Sequence, residues 1–318
     1  MRADEKLFII SSLNHTHFFP IFFSLFFYPG SDTMRRILFL IPAVILFEGC
    51  IQTIALRSMG GILDNGLAAF NEESDIQLAH EALGSNLKLI EAMIKSDPEN
   101  EQFLIFAAQG YNSYALAFCE DDSVERARVF YQRAKEYGMR VLMKNKKFKE
   151  ALNGDITAFR EGVKTFGKDD VPALFWTAFS WGSYVNITRT DVAGLADLSK
   201  VQALIEFVAE KDPSFYHGSS YLFLGVIEGT TPRSIGGNPD KAKEYFEKAL
   251  TINGGKFLMT QLYYAKVYAV NTQNQPLFKS LLKQVENASI DDVPEIRLAN
   301  VIAKQKARRL LAQENELF

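Results

Sequence analysis

The sequence predicts an all-α protein built from helical hairpins. Two observations carry this. After Cys50 apolar residues recur at intervals of three and four, as in Leu83, Leu87, Ile90, Met93 and Ile94, then Leu104, Ala107, Ala108, Tyr111, Ala115 and Phe118. Between these runs stand helix breakers and caps, and no stretch alternates as a strand would. The breaks fall at Ser96-Asp97-Pro98, Asp121-Asp122-Ser123, Asp212-Pro213, Gly236-Gly237-Asn238-Pro239, Gly254-Gly255, Asn274-Gln275-Pro276 and Asp291-Asp292-Val293-Pro294.

The helices pair with a recognisable spacing. Tyr111, Tyr114, Ala115 and Phe118 place large, large, small and large side chains on one helix; Ala127, Tyr131 and Ala134 place small, aromatic and small on the next. This is the tetratricopeptide (TPR) pattern of helix pairs. Tyr221, Leu224 and Gly225 with Ala242, Phe246 and Ala249 repeat it around a longer connection, and Val201, Ile205, Val208 and Pro213 supply a second half alone, as do Asn86, Ile90, Met93 and Pro98. A small residue on each helix lets the two approach closely, and the aromatic fills the gap to the next pair. The expectation is TPR-like helical hairpins packed into a closed or curved α-α superhelical domain, with an elongated solenoid disfavoured by long helices near 100–119 and 172–187.

The N-terminal part reads as a leader. Met34-Arg35-Arg36 precedes an apolar run from Ile37 to Phe47, then Glu48-Gly49-Cys50. Positive charge, a short greasy core and a small residue before a lone cysteine make a bacterial lipoprotein signal, with Cys50 as the lipidated first residue of the mature chain. The run is shorter than the about 20 residues a membrane-spanning helix requires, which favours cleavage over an uncleaved anchor. Glu48 departs from the usual small residue. The organisation expected is a leader over 1–49, of which 34–49 is the signal, and one helical domain over 50–318. Residues 1–33 hold a second apolar stretch, Phe18 to Tyr28; the preferred reading starts translation at Met34, and one long leader is the alternative. Ile51 after the cysteine lacks the aspartate that retains some lipoproteins in the inner membrane, which tilts the expected location to a periplasmic face of the outer membrane.

Composition excludes several classes. A net charge of −3 offers nothing for nucleic acid to grip. Lipidation of Cys50 would leave Cys119 alone, a small thiol expected to be buried. The only histidines after the leader are His80, expected to be solvated or capping, and His217, expected at a helix start. No zinc or calcium spacing, phosphate loop or nucleophile elbow is present, and Ser183 has no histidine near it in sequence. No catalytic residue, metal or cofactor is expected.

Candidate binding residues come from two places. Trp176 and Trp181 share a helix with Phe175, Phe179 and Tyr184; Trp181 and Tyr184 fall on one face with 177, while 176, 179 and 180 lean away. One tryptophan packs in the core and the other lines a cleft for an apolar ligand, or both are core. The loop from Gly229 to Pro239 has Arg233 to hold an anionic group, and Gly236 and Gly237 to let backbone approach a ligand or partner; a plain connector is the preferred alternative. In the last helix Ala299, Ala303 and Ala307 form a smooth ridge, and Lys304, Lys306, Arg308 and Arg309 read as solvated charge near a helix end.

Several ordered strings resemble one known family. They are Arg126-Ala127 with Tyr131, Leu174-Phe175-Trp176-Thr177-Ala178 with Trp181-Gly182, Gly236-Gly237-Asn238-Pro239 with Ala242, Phe246 and Ala249-Leu250, Tyr264-Ala265 with Tyr268-Ala269-Val270, and Arg297-Leu298-Ala299-Asn300-Val301-Ile302-Ala303. Together with the leader they resemble the T-components of TRAP (tripartite ATP-independent periplasmic) transporters, over about residues 50–312. The resemblance implies a periplasmic lipoprotein of TPR-like hairpins, partnership with the transporter's periplasmic solute-binding protein, assembly as homotrimers, and a hydrophobic cleft or pore for an apolar small molecule. A general cell-envelope TPR scaffold, serving outer-membrane or peptidoglycan machinery, is the alternative function.

Overall fold

The computed structural model describes residues 60–188 and 197–318, so Cys50 and the whole leader lie outside the described residues. Those described are helical throughout, without a strand among them. In chain order the helices are α1 (Gly60–Asn71), α2 (Ile76–Ser96), α3 (Glu101–Phe118), α4 (Val124–Leu142), the short α5 (Lys146–Ala151) and α6 (Ile156–Val163), α7 (Val171–Ile187), α8 (Leu198–Lys211), α9 (Phe215–Thr230), α10 (Pro239–Asn253), α11 (Met259–Tyr263), α12 (Gln275–Asn287), α13 (Arg297–Ala312) and α14 (Glu314–Leu317).

Local chemistry sets the boundaries. Side-chain oxygens of Asp75, Asn100, Asn145, Asp155, Asn238 and Asn274 accept hydrogen bonds from the free N–H groups that open α2, α3, α5, α6, α10 and α12. Pro239 and Pro276 occupy first-turn positions, where a missing N–H costs nothing. α10 stops at Gly254 and Gly255, whose φ values of 60° and 73° are left-handed.

Each long helix packs chiefly on its neighbour in sequence, with α4 against α3 and α7, and α9 against α8 and α10. The small-and-aromatic pattern does the packing. Ala127, Tyr131, Ala134, Ala242, Phe246 and Ala249 are all completely buried. A side chain at Gly225 would lie 3.1 Å from the Phe246 ring, so glycine here brings α9 onto α10. The array also closes on itself, because α13 packs on α1 and α2 as well as on α12. Arg297 Nη1 donates to the Glu72 carbonyl at 2.9 Å, and Lys306 Nζ to Asp121 at 2.6 Å.

These last contacts correct the reading of the α13 cations. Lys306 is buried and paired, Arg309 meets Asp122 at 3.1 Å, and Lys304 donates to the Glu286 and Ala288 carbonyls. Lys306 and Arg309 tie α13 to the α3–α4 turn and Lys304 ties it to the end of α12, while Arg308 is exposed as expected. His80 is also neither solvated nor a cap: its Nε2 lies 2.8 Å from the Tyr114 hydroxyl, and its ring packs on Phe118. Cys119 is a buried free thiol, its ionisation pushed up by burial.

The tightest crossing is α4 on α7. A Cβ at Gly138 would overlap the Thr177 hydroxyl and lie 3.2 Å from the Thr177 Cα, and that hydroxyl already donates to the Ala173 carbonyl at 2.6 Å. We predict that Gly138→Ala destabilises the protein by about 1–3 kcal/mol, measured by denaturant unfolding, despite its gain in helix propensity. An unchanged midpoint would mean that α4 and α7 move apart freely.

Candidate ligand chamber

Helix α7 positions the site. It is apolar nearly all round and buried along almost its whole length. Its polar residues turn inward on the backbone: Thr177 and Ser180 donate to the Ala173 and Trp176 carbonyls, both at 2.6 Å. One side of α7 meets α4. The other side opens on a chamber of about 360 Å³ walled by α1, α2, α3, α7, α8, α9, α11 and α13. That volume suits a small organic molecule. Phe175, Trp176, Phe179, Phe223, Leu222 and Ile302 give much of the wall. Phe179 and Phe223 meet edge-to-face at 5.5 Å.

The opposite wall begins with unusual backbone. Tyr216, His217 and Gly218 have φ values of 45°, 61° and 76°, three left-handed residues in succession within the first turns of α9. For Tyr and His this costs roughly 1–3 kcal/mol each. Packing holds them there. The Tyr216 ring stands against Trp176 at 5.0 Å and Phe257 at 5.9 Å, and burial pushes its phenol up to about 12. His217 stacks on Phe257 at 5.5 Å, and Asn253 Nδ2 donates to its carbonyl at 3.2 Å. Ser219 Oγ donates to the Tyr216 carbonyl at 2.5 Å. The turn swings the Tyr216 ring into the chamber wall.

One region of the wall is polar. Glu120 is the single aspartate, glutamate, lysine or arginine on the chamber lining among the described residues. Its carboxylate accepts from the Tyr131 hydroxyl at 3.0 Å and lies 4.0 Å from Lys306 Nζ. Ser183 bonds to the same Tyr131 hydroxyl, and Tyr263 completes the group. Burial pushes the Tyr131 and Tyr263 phenols well above their ordinary value. Beyond Tyr263 lies a second, charged pocket of Asp121, Asp122, Lys266, Lys306 and Arg309, so its side chain stands between the two spaces.

The residues singled out from sequence divide. Trp176 lines the chamber. Trp181 is buried elsewhere: its Nε1 donates to Asp197 at 2.8 Å, and Lys135 Nζ sits 4.2 Å over its ring. Tyr184 packs with the cluster around Tyr131, off the chamber wall. Thr230, Thr231 and Pro232 bring the loop after α9 to the chamber, but Arg233 is exposed and Gly236 and Gly237 stand off the wall. Gly236 has φ 104° with open space around it, whereas a Cβ at Gly237 would strike the Thr231 carbonyl. Sequence reasoning missed Glu120, Tyr216, Phe223 and Tyr263 as wall residues. Glu120 adjoins the Asp121-Asp122-Ser123 break, and nothing in its spacing shows that it faces inward.

A family model described as TRAP transporter T-component matches residues 72–318, which include every wall of the chamber except α1. The chain belongs to the TRAP transporter T-component family. No curated protein matches it. As a T-component it is a part of a TRAP transport system, consistent with a periplasmic or membrane-associated place. Among the described residues no helix is long and apolar enough to cross a membrane, and no cluster of histidine, cysteine and carboxylate side chains could hold a metal ion.

His217 gives the turn a titratable ring whose charged form burial disfavours. Burial lowers its pKa below the ordinary value of about 6.5, with Glu295 opposing more weakly. The neutral ring is favoured in the folded state, so its contribution is complete above pH about 6.5 and declines as pH falls through the lowered folded value. We predict that the T-component loses stability from pH 7 toward 5 with a steeper slope than His217→Asn, whose asparagine also tolerates the left-handed backbone. Thermal melts across this range check it; equal slopes would mean that His217 protonates without penalty.

Proposed function

We propose that this T-component is a periplasmic lipoprotein, anchored through Cys50, that partners the solute-binding protein of a TRAP transporter and holds an apolar small molecule in its chamber. The chamber carries the reading. Aromatic and aliphatic side chains from eight helices converge on one space, and aromatics supply large contact area at small entropic cost. Family membership supports a transport role for that space, and the absence of any recognised catalytic spacing in the sequence favours binding over reaction. The anchor rests on the leader alone. A general envelope scaffold would use its outer helical faces and would need no hollow.

The two tryptophans supply the test. Trp176 touches the chamber and Trp181 does not. In Trp181→Phe protein, adding an apolar probe should shift the remaining Trp176 emission in a saturable way. In Trp176→Phe protein the emission of Trp181 should stay constant. Ala117→Trp, which fills the chamber from α3, should weaken probe binding by about tenfold or more, since one or two kcal/mol of lost contact suffices. Capture of the cognate solute-binding protein by the purified helical domain tests the partnership separately. Unsaturable or equal responses of the two single-tryptophan proteins would overturn the chamber as a binding site.

A further inference from the structure

We infer that the chamber's ligand is an amphiphile whose head group donates hydrogen bonds and carries no negative charge: a hydroxyl or an ammonium, not a carboxylate. The inference rests on the reading that the chamber holds an apolar ligand, and it adds which end chemistry that ligand has. The argument lies in the polar corner at Glu120. This carboxylate is the one aspartate, glutamate, lysine or arginine side chain on a wall that is otherwise apolar or neutral among the described residues. It has a fixed donor in Tyr131 at 3.0 Å, which leaves acceptor capacity on its two oxygens. Its nearest cation, Lys306, is 4.0 Å away and is bound more closely to Asp121 at 2.6 Å. In the neighbouring pocket Arg309 is engaged with Asp122 at 3.1 Å, and Lys266 Nζ lies 5.7 Å from the centre of the Tyr263 ring, off the chamber lining. An anionic head would therefore meet Glu120 at close range in a largely apolar space, where repulsion between like charges is unfavourable.

Tyr263 gives the corner its second half. Its hydroxyl makes no hydrogen bond to any described residue, and its half-buried side chain lines the chamber together with Glu120. A phenol that faces the hollow can donate to or accept from whatever fills it. A hydroxyl head satisfies both groups at once, donating to Glu120 and accepting from Tyr263. An ammonium donates to Glu120 and to the Tyr263 oxygen. A purely hydrocarbon ligand satisfies neither, and a carboxylate satisfies Tyr263 alone.

Three probes of one chain length separate these cases: decanol, decylamine and decanoate, titrated into the helical protein at neutral pH with Trp176 emission as the readout. Decanol and decylamine should each bind at least about tenfold more tightly than decanoate, since a single unscreened like-charge contact is worth that much. Glu120→Gln should close the gap between decanol and decanoate, with circular dichroism melts verifying the fold. Tyr263→Phe, which keeps ring and volume, should weaken decanol several-fold and keeps the test decisive if Glu120→Gln fails to fold. Decanoate binding as tightly as decanol, a gap unchanged by Glu120→Gln, or decanol indifferent to Tyr263→Phe would each overturn the head-group inference while leaving the apolar chamber intact. Saturable binding by none of the three would overturn the chamber reading itself.

Discussion

A hollow kept open inside a helical core is the constraint on which the rest of this structure depends. Protein interiors pack to near-crystalline density, and every void forfeits contacts. This partly open hollow of about 360 Å³ costs less than a sealed, dry one, for which the scaling of cavity-creating substitutions gives on the order of 9 kcal/mol. That upper figure rivals the whole stability of an ordinary domain, about 5–15 kcal/mol. The walls therefore must resist moving inward. They do so through directional bonds at the rim of the array. Asn300 accepts from the Leu258 amide at 3.0 Å and donates to the Lys256 carbonyl at 2.9 Å, fixing α13 to the start of α11. Lys306 and Asp121 fix the other end of α13 to the α3–α4 turn. Each bond sets a distance, which apolar contact by itself cannot do.

Close crossings elsewhere let this cost be carried. Gly138 against Thr177 and Gly225 against Phe246 bring helix axes near enough for backbone to touch side chain. The completely buried alanine and aromatic positions of α4 and α10 do the same. The hollow is thus local. It lies where α7 faces away from α4, and the wall there includes Ala117 and Ala299, small residues facing open space.

The fold was legible because helix periodicity and capping are local. Asp97, Asp212, Asn238 and Asn274 announce helix ends whatever surrounds them, and the helices stop or start at these residues. The helical face of Trp176 and Phe179 could likewise be told from that of Trp181 by angle alone. What could not be read is anything decided between distant segments. Glu120 faces the hollow because α13 returns 185 residues later in the chain to hold Asp121 beside it. His80 meets Tyr114 across the α2–α3 pair. The left-handed run at Tyr216 and His217 defeats sequence reasoning for another reason: a bulky tyrosine disfavours that backbone, and a single histidine, which tolerates it, is too weak a signal to announce it. Only the aromatic packing of Trp176 and Phe257 reverses the preference.

That reversal bears on how the chamber works. The left-handed turn and the polar corner are both places where local preference has been overruled, one by strain and the other by a carboxylate set among apolar walls. They lie on different elements, the turn opening α9 and Glu120 just beyond the end of α3, and both line the same space. Misplaced local chemistry converging on one hollow is better explained by recognition than by folding, because folding alone would favour a right-handed turn and an apolar or solvated position 120. On the proposed reading the Tyr216 ring would give the apolar body of a ligand an aromatic wall, while Glu120 and Tyr263 would give its other end a direction. A chamber with one polar corner would hold such a ligand in one orientation, and an oriented ligand is what a transport component needs if it is to receive and release from a defined side.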